Sequence, residues 1–281
     1  MNSLAIVGVG LVGGSIARAV RAAAPGCRLV AVDVAGARDE LVASGLFAEV
    51  SCDPAPSDLA RALGACELVL ASVPVSTLTE LLPTLLDHAP VVTDVGSTKR
   101  AVLGAVSGHP RREHFVPGHP MAGGPDGGFA ESRADLFRGR PWIVCSAGSN
   151  PVARDAVLSL VRLVGACAVE MSAAEHDRGV AVTSHVPQLL ASALLDQAGR
   201  LGGAARARGP AFERLTSGGG GHEMWRDVLR TNADEVAGAA RELGVQLSLL
   251  ADALERDPPD VEPAMELLAR ARAVRGRLGV R

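Results

Sequence analysis

The segment L-A-I-V-G-V-G-L-V-G-G-S, residues 4–15, decides how the rest of the chain is read. Residues 4–7 are an apolar run of strand length, and Gly8, Gly10 and Gly13 follow it in the spacing G-x-G-x-x-G. Residues 11–24 have the composition of a helix. Residues 29–32 form a second apolar run, and Asp33 closes it twenty positions beyond Gly13. A lone glycine triplet carries little weight, but strand, turn, helix, strand and terminal acid in this order are the full context of the dinucleotide-binding fingerprint. Each residue type has a physical task. Gly8 permits the tight turn, Gly10 lets backbone approach a pyrophosphate, and Gly13 lets the helix lie close to the strand. The start of the helix offers free N–H groups and a positive dipole end to that pyrophosphate. Asp33 accepts hydrogen bonds from a ribose 2′-OH and repels a 2′-phosphate, so NAD is expected rather than NADP.

The same alternation continues downstream. Helical patterns are expected at 37–44, from Ser57 or Asp58 onward, and at 77–86; short strands are expected at 48–50, 67–71 and 91–93. Such alternation implies a parallel, doubly wound sheet, with ligands beyond the carboxyl ends of its strands. Three loops fall on that edge: 8–13, 72–74 and 94–99. Cofactor contacts are therefore expected from Gly8, Gly10, Leu11, Val12, Gly13 and Asp33, from Ser72, Val73 and Pro74, and from Gly96. Residues 115–118 read as a short strand running into His119; further strands are expected at 142–145 and 166–171, around a helix at 152–164. Beyond Ser172 strand signals stop. A long helix is expected over 173–201, bent or broken by Pro187, then a glycine-rich stretch, a helix over 223–254 and a basic helix over 262–278. Val236, Ala240, Leu243, Leu247, Leu250 and Leu254 make an apolar stripe that calls for a partner helix. The expected class is α/β: a Rossmann-type domain at 1–171, then an all-helical substrate and dimerisation domain at 172–281.

Composition narrows the function classes. The 281 residues are 48% hydrophobic and 21% charged, with a net charge of −3, which suits a globular core and argues against nucleic acid or an anionic membrane as partner. Aromatic residues are 2% with no tyrosine, too few for a base-stacking platform. Cys27, Cys52, Cys66, Cys145 and Cys167 are scattered without a C-x-x-C pair, a usage that fits reduced cytoplasmic thiols and gives no metal site. Met1 stands directly before the first strand, so no signal peptide is expected, and no uncharged apolar run reaches membrane-spanning length.

Four segments in order resemble the prephenate and arogenate dehydrogenase family: G-V-G-L-V-G-G-S (8–15), D-V-G-S-T-K (94–99), G-H-P-M-A-G (118–123) and E-H-D-R-G-V-A-V-T-S-H-V-P (175–187). A fifth, E-M-W-R-D-V-L (223–229), agrees, and together they span nearly the whole chain. The resemblance implies NAD-dependent oxidative decarboxylation of a prephenate-like cyclohexadienol to an aromatic product, as in aromatic amino acid biosynthesis. It implies that His119 is the catalytic histidine, that Ser97 supports it and the substrate hydroxyl, and that His185 lies near the substrate. Substrate contacts are accordingly expected from Ser97, Ser184, His185 and Gln188. Read without the resemblance, His119 stands between a turn cap and a catalytic group, and His185 between a core histidine and a ligand contact. Ser97 and Thr98 also suit helix N-caps. Lys99 reads as a surface residue, His176 and Asp177 as first-turn helix residues without chemistry, and Trp225 as packing.

Two positions depart from the family's pattern. Gln188 stands where a second histidine is usual, and 215–221 holds no arginine where one usually grips the substrate's side-chain carboxylate. The alternatives are therefore arogenate or 4-amino-4-deoxyprephenate as substrate. More distant readings are a β-hydroxyacid dehydrogenase or imine reductase, opposed by H-P-M-A-G after D-V-G-S-T-K, and an NAD-binding sensor without turnover, opposed by a serine and a histidine both at the cofactor edge.

Overall fold

A computed structural model describes residues 1–124, 126–218 and 222–278. Its first sheet contains β1 (Ser3–Val7), β2 (Arg28–Asp33), β3 (Glu49–Cys52), β4 (Leu68–Ala71), β5 (Val92–Asp94) and β6 (Phe115–Val116). All neighbours are parallel, in the order β3-β2-β1-β4-β5-β6. The intervening helices are α1 (Leu11–Ala23), α2 (Arg38–Ala43), α3 (Pro56–Gly64), α4 (Val75–His88) and α5 (Arg100–Gly104). Side chains alternate across a strand, so the sheet supports two cores. Leu4, Ile6, Leu29, Ala31, Leu68 and Leu70 join one with Ile16 and Val20 of α1. Ala5, Val7, Val30, Val32, Val69 and Ala71 join the other with Leu78, Leu82 and Leu85 of α4. Burial on both faces is why these strands read as continuous apolar runs. The strand order reverses between β1 and β4, and an open α/β sheet binds its ligand at that crevice.

The strand expected to run from residue 115 into His119 is instead two strands in two sheets. β6 ends at Val116; β7 (Gly118–Pro120) starts a second sheet with β8 (Pro141–Val144) and β9 (Cys167–Glu170). β7 is antiparallel to β8, and β8 is parallel to β9. Pro117 at the junction has no N–H to continue a ladder, and its carbonyl accepts from the Cys145 amide at 2.9 Å. β8 and β9 are joined by α6 (Pro151–Leu163), whose cap Asn150 accepts from the Ala153 amide at 2.8 Å.

The expected long helix has three parts: α7 (Ala173–Val180), one π-helical turn (Ala181–His185) and α8 (Val186–Gly199). Ser172 and Glu175 form a capping box that starts α7. Pro187 has no N–H to offer the turn behind it, and the helix absorbs this by widening just before the proline. After α9 (Pro210–Thr216), the helix expected over 223–254 is divided at buried Asn232 into α10 (His222–Thr231) and α11 (Ala233–Leu254). α12 (Glu262–Leu278) follows. By internal contacts the chain divides into the units Met1–Ala233 and Asp234–Arg281. In the second unit Val236 is buried, but Leu247 and Leu254 of the expected stripe are 50% and 49% exposed, and Leu268 of α12 is 63% exposed. Among the described residues, no helix is long and apolar enough to cross a membrane.

Candidate active site

At the β1/β4 crevice lies a cavity of about 380 Å³, lined by Gly10, Leu11, Val12, Ser72, Val73, Pro74, Gly96 and Ser97 among others. The glycines around it have different causes. Gly8 has φ +86°, and a Cβ there would stand 2.5 Å from the Ser72 carbonyl oxygen; a Cβ on Gly13 would stand 2.2 Å from the Gly8 carbonyl oxygen. Both are required by the protein's own packing. A Cβ on Gly10 meets nothing within 4 Å. The protein has no use for a bare Gly10, whereas a pyrophosphate at the uncapped start of α1 does. Asp33 ends β2, accepts from the Val9 amide at 2.6 Å and from the Val34 amide at 2.7 Å, and so is fixed beside the glycine turn. These residues fit a dinucleotide.

A second cavity of about 400 Å³ shares Ser97, Met224 and Val228 with the first. Its wall also includes His119, Pro120 and Met121 of the β7 segment, Thr183, Ser184 and His185 of the π turn, and Trp225 of α10. His185 is 2% exposed and stands edge-on to Trp225, with ring centroids 6.1 Å apart. Trp225 Nε1 is buried and has no acceptor among the described residues. Gln188 is not in this wall: a Cβ on Gly218 would lie 2.6 Å from its Oε1, so it sits against the α9 end one turn past His185. The arginine-free segment falls partly on 219–221, outside the described residues.

Behind His119 is a polar layer that the sequence reading missed. His176 and Asp177, expected to be inert first-turn residues, are 1% and 0% exposed. His119 Nδ1 lies 2.8 Å from His176 Nε2, and His176 Nδ1 lies 2.7 Å from Asp177 Oδ1. Asp177 also accepts from the Lys99 amide at 2.8 Å and the Arg100 amide at 2.9 Å, bonding the start of α5. Asn232 donates to the Asp177 carbonyl at 2.8 Å and accepts from Arg100 at 3.1 Å. Lys99 is the second correction: it is wholly buried, not on the surface. Its Nζ is paired with Asp94 and donates to the Gly118 carbonyl at 2.7 Å, while Asp94 accepts from the Gly118 amide at 3.1 Å and the Gly96 amide at 2.8 Å. A buried ion pair thus ties the Ser97 loop to the strand carrying His119.

The electrostatics keep the pocket's histidines neutral. Burial, then the neighbouring His176, Lys99 and His185, hold His119 well below the usual histidine range. Burial takes His185 down to about 4, against the pull of Asp177. Burial pushes the Asp177 carboxyl up, but the bonds from His176 and the Arg100 and Lys99 amides outweigh it and leave the group below its ordinary value. The arrangement offers a neutral base, a serine hydroxyl and an apolar wall next to a dinucleotide crevice, a combination suited to hydride removal coupled to proton transfer.

Residues 16–170 match the family description "Prephenate dehydrogenase, nucleotide-binding domain", and residues 172–269 match "Prephenate dehydrogenase, dimerization domain". The chain belongs to the prephenate dehydrogenase family. A prephenate dehydrogenase of Bacillus subtilis is 32% identical over 249 residues, 84% of this chain and 65% of that one; the chain thus spans just under two thirds of that relative's length. A cyclohexadienyl dehydrogenase of Zymomonas mobilis is 30% identical over 241 residues, 83% of this chain and 76% of that one. The solved prephenate dehydrogenase of A. aeolicus, in complex with hydroxyphenyl propionate and NAD+, superimposes with a TM-score of 0.86 at 25% identity, covering 99% of this chain and 98% of that one. The family's nucleotide-binding match begins inside α1, so the glycine turn stands on its own geometry.

Proposed function

We propose that this chain is an NAD-dependent dehydrogenase that oxidatively decarboxylates a prephenate-like cyclohexadienol to an aromatic product. The observation that carries the reading is the shared wall: Ser97 lines both the dinucleotide crevice and the pocket that holds His119 and His185. Gly10, Leu11, Val12, Asp33, Ser72, Val73, Pro74 and Gly96 would hold NAD, with Gly8 and Gly13 shaping the turn beneath it, and NAD would supply the hydride acceptor. His119 takes the ring-hydroxyl proton while the O–H pair becomes the second bond of a carbonyl and the C–H pair leaves as hydride. Loss of carbon dioxide then feeds the C–C pair into the ring, the carbonyl pair returns to oxygen, and that oxygen recovers the proton. Aromatisation favours the sequence, so the protein's work is to align donor and acceptor and hold one proton. Ser97 holds the reacting hydroxyl, and Ser184, His185 and Trp225 orient the ring. The test is the appearance of NADH absorbance when protein, NAD and prephenate are mixed; no absorbance with any cyclohexadienol would overturn the reading.

A second reading concerns the substrate's side chain. Among the described residues, the pocket wall carries no lysine or arginine, and both its histidines are held neutral. A carboxylate held by arginine makes a charge-assisted bond. Arogenate carries an ammonium beside its side-chain carboxylate, so that side chain depends less on a cationic partner, whereas 4-amino-4-deoxyprephenate keeps prephenate's side chain and bears its amino group at the reacting ring carbon. Comparing kcat/KM for the three substrates separates these readings. The exposed apolar residues of α11 and α12 and the family's dimerization domain support a homodimer, and light scattering at twice the chain mass is the expected result. The five free cysteines support a reducing cytoplasmic setting.

A further inference from the structure

The contacts behind His119 order protons as well as rings. Asp177 is a carboxylate with hydrogen bonds from two backbone amides. An ionised carboxylate only accepts, so the 2.7 Å contact to His176 requires a proton on His176 Nδ1. With that one proton placed, the ring's lone pair is on His176 Nε2. The 2.8 Å contact between that nitrogen and His119 Nδ1 is a hydrogen bond only if His119 carries its proton on Nδ1. His119 Nε2 is left as the basic nitrogen.

We propose that His176 and Asp177 are positioning residues that hold His119 in its Nδ1–H form and carry the reaction's transient charge away from it. The proposal rests on the reading of His119 as the base. When His119 Nε2 takes the ring-hydroxyl proton, the Nδ1 proton crosses to His176 Nε2; both protons retrace their paths when the product oxygen is reprotonated. No proton is gained or lost over the cycle. The transfer has an electrostatic reason. His119 contacts His176 of α7 and lies near Lys99 of the β5–α5 loop and His185 of the π turn; one step further out, Asp177 pairs with His176 and Arg100, and Asp94 at the end of β5 pairs with Lys99. Burial and the neighbouring Lys99 oppose a cation on His119. On His176 the cation lies against the Asp177 carboxylate, where opposite charge favours it. The backbone bonds from the Lys99 and Arg100 amides keep that carboxylate aimed at His176.

Nitrogen NMR on histidine-labelled protein, without substrate and with signals assigned by single substitutions, reads the tautomer directly. The expected wild-type result is His119 protonated on Nδ1 and bare on Nε2. His176→Phe removes the acceptor and shifts His119 towards the other tautomer. Its kcat should fall roughly 10²–10³-fold, the scale of a misplaced general base, with NAD affinity unchanged and the acidic limb of the pH–rate profile displaced. His176→Gln can accept the Nδ1 proton's hydrogen bond but cannot take the proton. It should restore the tautomer and only part of kcat. A wild-type His119 protonated on Nε2 would overturn the proposal, as would a His176→Phe protein with unaltered nitrogen signals and pH profile. A His176→Gln protein with full kcat would overturn the charge transfer. A wild-type protein inert towards every cyclohexadienol would sink the functional reading instead, while the spectra still decide the tautomer.

Discussion

The dinucleotide crevice and the histidine pocket share Ser97 but are built by opposite means. The crevice is built on local loops: a turn of spaced glycines, the open start of α1, and two further loops at strand ends. The pocket is made of side chains brought from β7, the π turn and α10, and α7 stands behind it. A loop-built site depends on local conformation, so single side chains can be exchanged within it. A side-chain site depends on long-range packing, as His119 on β7 depends on His176 of α7. The difference predicts that substitutions in the pocket abolish chemistry without touching cofactor affinity, and that those in the crevice do the reverse.

His119→Asn is the sharpest break: kcat should fall roughly 10²–10⁴-fold, with calorimetric NAD affinity unchanged. A parallel loss of NAD binding would mean that the two regions are one. Next comes the tie between them. Lys99→Met leaves Asp94 charged and buried without its partner, and breaking a buried pair this way costs about 3–5 kcal/mol, read from urea unfolding. A cost near zero would return Lys99 to the surface. Within the crevice, Gly13→Ala drives a Cβ into the Gly8 carbonyl and should cost about 1–3 kcal/mol as overpacking. Gly10→Ala meets no protein atom, so it should leave the urea midpoint in place and weaken NAD alone.

The pocket should also show in the pH dependence of stability. His185 falls from its ordinary value of 6.5 to about 4 on folding. Between those values the unfolded chain binds the extra proton and the folded chain does not. Stability is therefore complete above about 6.5 and declines as pH falls towards 4. His119 acts in the same direction. His185→Gln should flatten part of this decline in thermal melts, and an unchanged slope would contradict the buried neutral histidine. The smallest effect is expected at Asp33, where Asp33→Ala should narrow the preference for NAD over NADP; equal wild-type affinities for the two would remove Asp33 from cofactor choice.

By itself the sequence determined the parallel α/β domain, the glycine turn with its acid at Asp33, the stop of strand signals after Ser172, and the final helix over 262–278. Those features follow from local rules: apolar periodicity, glycine freedom and the distance along one helix and strand. It also marked His119, Ser97 and His185, because whole motifs carry them. Tertiary structure alone decided the rest. Pro117 sends His119 into a separate sheet, Pro187 widens the helix before it into a π turn, and Asn232 breaks a helix whose pattern runs on. Lys99, His176 and Asp177 looked like surface or capping residues because polar side chains near helix starts usually are. Their burial is legible only once α5, α7 and β7 converge. A charged or polar group is buried when its partners arrive from distant segments to replace water, and no periodicity along the chain records where those partners come from.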